Sequence, residues 1–393
     1  MSMSMTNIPN IIPFPDGAES SPFFGALASV LTPALGYTED MPYFCDPKQS
    51  YCVNCGNCKN TTMQKHRIRI YHDYQTFCGV SLGWVWPEGR SEFQTLPGWR
   101  EGWRWPDDFL SYLFGYAGLS WKRLVKSTSG RATGCVSVGA SKAAILEAVK
   151  ASVVAGIPVL MKLSAGPDWH VVTGYDENGT LYGLDSHKHF DHTMRPTRAT
   201  VAARGYTDDG LFILSDGDWY DYFDNAIVII GKAAKSVTYL DVLDRMICTL
   251  AHPAHALLEQ ALMARLDAVT SDNALETAQW LLSMVGFPIE GRYHAADSNL
   301  HNLCENAAAK EKIFGMIRQY VFDSEHDATH GTCWKIWAQL GVGAETGYAL
   351  PPNAAALLLN KDTRNELKRL FKIVFENDRV VLKLLKEAAA IIK

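Results

Sequence analysis

His170 and Asp185 stand fifteen residues apart in the stretch DWHVVTGYDENGTLYGLDS, and their types and spacing suit general-base chemistry. His170 opens an apolar run that ends at Tyr175. Asn178-Gly179 supplies the positive φ of a tight turn, and the next run closes on Asp185. A tight hairpin sets the first residue of one strand opposite the last residue of the next. A carboxylate there can hold the imidazole in one tautomer, which is the base-and-orienter half of a nucleophilic triad. The same pair also fits a strand-end His satisfying a backbone carbonyl beside a turn Asp.

The nine cysteines add thiol and metal chemistry. Cys45, Cys52, Cys55 and Cys58 fall in CDPKQSYCVNCGNC. Two overlapping C-x2-C steps let these thiolates face one ion, and tetrahedral Zn suits the set better than an iron–sulfur cluster. Asp46, Lys48, Asn54 and Asn57 make the loop polar, so a surface loop bearing free thiols is the alternative. Cys78, before Gly79, is a second candidate nucleophile or a packed thiol. Cys135, Cys248, Cys304 and Cys333 are scattered and are expected to pack as small hydrophobes. DSHKHFDH (185–192) holds His187, His189, Asp191 and His192, either a further metal site or a solvated loop near the cleft. Trp84, Trp86, Trp99, Trp103, Trp105 and Trp121 either floor an apolar cleft or form plain core.

Two textures frame these residues, with a change near residue 235. Before it, Ser20-Ser21-Pro22 opens a helical pattern through Phe24, Leu27, Val30 and Leu31. Ser141 caps a helix carrying Ile145, Val149 and Val153, which Gly156 ends. Strands follow at 157–163, 170–175, 180–185 and 226–231. A helix followed by an antiparallel meander indicates an α+β domain over 1–235, with the Cys-rich insertion at 45–58. After it, helical periodicity covers 238–250, 254–267, 273–285, 297–322, 326–340 and 363–391, the last with a Thr363–Glu366 capping box. Residues 236–393 therefore read as an all-α domain.

The segments SSPFFGALASVL, CGVSLGW (78–84), DWHVVTGYDENG and DWYDYFDNAIVIIGK together resemble the papain-like thiol fold. Within it, the likeness runs to the bacteriocin-processing leader peptidases and to the acyltransferase of butirosin biosynthesis with its relatives. The second branch covers more of the chain. It has a short helix-opening motif, a later Gly-Val-Ser element, a His closely preceding Gly-Tyr-Asp, and commonly a helical C-terminal domain. The resemblance implies acyl transfer to an amine, or hydrolysis, on an amide or thioester. The substrate would be a small molecule or a peptidyl or acyl-carrier group. His170 would be base and then acid, Asp185 its orienter, and the nucleophile would open the first helix. There the chain departs from the pattern, because Ser21 occupies the place of the Cys. A hydroxyl gains far less than a thiol from a nearby His⁺ and a helix N-terminus. Pro15 stands where a Gln usually supports the oxyanion, and the acidic Asp16 and Glu19 would repel one. Three readings stay open at position 21: a Ser replacing a native Cys, a natural Ser nucleophile, or an inactive descendant that binds a ligand or protein.

Composition narrows the remaining classes. Over 393 residues, 47% are hydrophobic and 20% charged, as in a chain that buries a sizeable core. The formal charge of −5 lacks the basic footprint of a nucleic-acid binder. No run of apolar residues is long enough to span a membrane, and MSMSMTNIPNIIPF lacks the basic and apolar regions of a signal peptide. A cytoplasmic protein with no membrane or nucleic-acid partner is the expectation.

Overall fold

Ser141 precedes apolar residues recurring at every fourth position, and in the computed structural model of the chain that run is a capped helix. The structure describes residues 5–11, 22–42, 61–83, 107–126, 137–163, 169–185, 205–207, 211–214, 218–284, 290–322, 328–346 and 349–393. The Ser141 hydroxyl accepts from the Ala144 N–H, and Gly156, with φ of 75°, terminates the helix as expected.

The described residues fall into two compact units, the first holding 5–42, 61–74 and 107–237, the second 75–83 and 238–393. The first contains, in order, β1 (Thr6–Asn7), α1 (Pro22–Ala34), α2 (Thr62–Phe77, to Tyr74), α3 (Asp107–Ala117), β2 (Leu119–Lys126), β3 (Ser137–Ala140) and α4 (Lys142–Val154). After these come β4 (Val159–Lys162), β5 (His170–Tyr175), β6 (Leu181–Asp185), β7 (Gly205–Tyr206), β8 (Phe212–Leu214), α5 (Asp218–Tyr222) and β9 (Asn225–Lys232). Their sheet runs β3-β2-β9-β4-β5-β6-β8-β7, with β1 added to β5. It is mixed rather than purely antiparallel, because β3 pairs in parallel with β2. The α4 side chains of Ile145, Val149 and Val153 cover Val159, Met161, Val172, Phe212 and Ala226. Each such aliphatic burial stabilises by about 1.5–3 kcal/mol.

The second unit is helical: α6 (Tyr239–Leu250), α7 (Ala254–Asp267), α8 (Ala274–Met284), α9 (Glu290–Asp297), α10 (Ala307–Ile317), α11 (Thr329–Gln339), α12 (Ala354–Leu359) and α13 (Lys361–Ile392). Buried Leu367, Leu370, Phe371, Val374 and Phe375 give α13 the face on which α6, α7, α10 and α11 pack. Asn360, not a Thr363 box, caps α13, its side chain accepting from the Asp362 and Thr363 amides. The helix expected at 297–322 begins only at Ala307, as α10, and continues as a π-helical turn over Arg318–Phe322, while α9 ends at Asp297. Asn-rich turns after Asp297 compete for backbone bonds, and Asn306 caps α10.

Residues 78–83 belong to this unit and are held by two arginines. Arg245 Nε donates to the Cys78 carbonyl at 3.2 Å. Arg292 of α9, 0% exposed, donates to the Gly83 carbonyl at 2.9 Å and the Leu82 carbonyl at 3.1 Å. The same guanidinium clasps Asp378 at 3.1 and 2.6 Å. Gly291 lies so close that a Cβ there would strike the Ser81 carbonyl. Among the described residues, no helix is long and apolar enough to cross a membrane.

Candidate functional site

Polar residues gather at one end of four neighbouring strands of the sheet. β9 begins with Asn225, β4 ends with Lys162, β5 begins with His170 and β6 ends with Asp185. Register joins them: Asn225 faces Lys162, Met161 faces His170, and His170 faces Asp185. The pairing expected from the hairpin is the observed one. His170 and Lys162 are each 1% exposed and Asn225 6%, so these three are buried.

The turn behind it is built by Asp176. Its carboxylate accepts from the Asn178 N–H at 2.9 Å, the Thr180 N–H at 3.0 Å and the Tyr182 hydroxyl at 3.2 Å. Gly179, with φ of 79°, completes the bend, so positive φ falls on the glycine and not on Asn178. Thr173 marks a register slip in the β5–β6 ladder, between the turn and the His–Asp pair.

Successive residues at the start of β5 meet different partners. The His170 ring lies edge-on to Phe212 at 5.8 Å. Trp169 lies edge-on to Phe23, in the first turn of α1, at 5.1 Å. Helix α1 packs on β4 and β5, so its N-terminus lies at the His170 end of the sheet. Arg67 of α2 fixes α1 there, with Nε donating to Ser29 Oγ and Nη2 to the Gly25 carbonyl, both at 2.8 Å. Glu39 in turn accepts from the Thr62 and Met63 amides at the start of α2, bonds that hold its carboxyl below the usual range.

Ser21 immediately precedes Pro22 and lies outside the described residues, as do Pro15, Asp16 and Glu19. So do Cys45, Cys52, Cys55, Cys58 and Cys135, the segment 186–192, and Trp84, Trp86, Trp99, Trp103 and Trp105. Trp121 is described and stacks on Phe114 at 5.3 Å, an ordinary packing contact. Among the described residues, no group of three or more His, Cys, Asp or Glu could hold a metal.

The rival nucleophile is inert. Cys78 is 2% exposed, its thiol donates to the Gln75 carbonyl at 3.4 Å, and burial pushes it up to about 12. A thiol that stays protonated at neutral pH is no nucleophile. Cys304 and Cys333 are buried as expected, whereas Cys248 is exposed on α6. Sequence reasoning also missed Lys162 and Asn225. The signal was present in VLMK and NAIVII, where one polar residue sits at the end of an apolar strand. No family model, curated protein or solved structure matches the chain.

Proposed function

We propose that the first unit is a papain-like domain built for acyl chemistry on an amide or thioester. The observation that carries this reading is the buried His170, paired in register with Asp185 and next in sequence to Trp169, whose ring meets Phe23 in the first turn of α1. A nucleophile at the start of α1 would attack the carbonyl while His170 accepts its proton. His170 would return that proton to the leaving group, and an amine or water would then take the acyl group. Asp185 would hold the imidazole in the tautomer that accepts. Lys162 and Asn225 bring donor-bearing side chains to the same sheet end, the chemical types that stabilise an oxyanion. The second reading, a binding protein that keeps the cleft without the reaction, is favoured by one feature. His170 is enclosed and packed on Phe212, as an imidazole retained for structure would be.

Replacing Ser21 by Cys decides between them. With His170 and a helix N-terminus beside it, the introduced thiol falls below the free value of about 8.5 and is largely thiolate at neutral pH. Iodoacetamide should then alkylate it about tenfold faster than the exposed Cys248, an advantage that His170→Ala removes. Alkylation at the pace of Cys248, unchanged by His170→Ala, would leave the binding reading alone.

The same proposal assigns Cys45, Cys52, Cys55 and Cys58 to one structural Zn. Metal analysis of the purified protein should approach one Zn per chain, and chelation should lower its melting temperature, because structural Zn binding is coupled to folding. A metal-free protein of equal stability leaves only a loop of free thiols.

A further inference from the structure

We infer that the helical unit binds a small amphiphilic carboxylate in a cavity between the start of α7 and one face of α13. The cavity measures about 320 Å³, within the range small organic ligands occupy and far above the ~30 Å³ share of one water. Leu250, Phe375 and Leu382 give it an apolar lining.

Charge decides the class of ligand. Two carboxylates line the cavity, and both are already engaged. Asp378 receives Arg292 at 2.6 Å and the Tyr320 hydroxyl at 3.0 Å, and Glu259 receives Arg379 at 2.8 Å. His255, also in the wall, is drawn down to about 4, chiefly by burial, so it carries no charge at neutral pH. Of the two basic chains in the wall, Arg379 is engaged by Glu259 and Glu376, whereas Lys386 is exposed and makes no ion pair among the described residues. A cationic ligand would find no free carboxylate. A carboxylate on an aliphatic tail meets Lys386 at one end and the apolar wall at the other. This site is independent of any chemistry at His170.

Sodium octanoate titrated calorimetrically into the full chain tests the inference, with octan-1-ol as the uncharged probe. One octanoate should bind per chain. Lys386→Glu should weaken it about tenfold while leaving octanol unaffected, the size expected when one screened attraction becomes repulsion. Ala256→Trp, which fills the cavity from an exposed position of α7, should abolish binding of both probes. Circular dichroism should confirm that each variant remains folded. Absence of saturable octanoate uptake by the unaltered protein overturns the site. Equal affinities for octanoate in the unaltered protein and Lys386→Glu overturn the anionic class.

Discussion

Arg292→Met should lower the unfolding free energy by about 3–5 kcal/mol, the range for removing one partner of a buried ion pair. Four donor contacts depend on that guanidinium: two to Asp378 and one each to the carbonyls of Leu82 and Gly83. Its removal takes both guanidinium bonds from the buried Asp378, to which the Tyr320 hydroxyl still donates at 3.0 Å. Arg292→Lys keeps the charge but loses the planar fork, so it should recover less than half of the loss. The double variant Arg292→Met with Asp378→Leu removes both charges together and should be milder than Arg292→Met alone. Urea unfolding monitored by circular dichroism reads all three. If Arg292→Met melts within about 0.5 kcal/mol of the unaltered chain, the clasp carries no structural weight.

Gly183→Ala should cost about 2–4 kcal/mol, above most single substitutions, because the added methyl has nowhere to go. It would strike the Val171 carbonyl of β5 and come within 2.7 Å of the Phe212 ring. Gly183 faces Val172, two positions along the same ladder from His170 and Asp185. Relief of the clash must push β5 and β6 apart where the proposed base and its orienter are paired. In a Ser21→Cys background the substitution should therefore also slow alkylation of the introduced thiol. Full stability together with unchanged alkylation would show that close approach of these strands is not needed.

What the sequence disclosed follows from how local each signal was. The hairpin announced itself because Asn178-Gly179 and the two runs flanking it are contained within twenty residues, and setting the first residue of one run opposite the last of the next pairs His170 with Asp185. The slip at Thr173 that completes this register was not visible. The Ser141 cap and the apolar faces of α6, α7 and α13 were equally local. Helix ends that depend on competing side chains were less visible, as with Asn306 and Asn360, where a short polar residue outbids the expected start. Buried charge was hidden altogether. Arg67 and Arg292 are residue types of the surface, and partners distant in sequence make their burial tolerable; Lys162 is buried as well. The placing of residues 78–83 in the helical unit was hidden for the same reason, since Arg245 and Arg292, which hold them there, lie far away in sequence.

That placement has a consequence for how the protein is made. The carbonyls of Leu82 and Gly83 are translated 210 and 209 positions before the arginine that receives them. At about 5–20 residues per second, the two ends of the clasp leave the ribosome about 10–40 s apart. During that interval residues 78–83, whose Cys78 and Leu82 side chains are buried in the finished fold, have no Arg292 to anchor them. Contacts of such span are slow to close. The helical unit is thus completed only after strands β2 to β9 have been made, although residues 78–83 precede all eight of them.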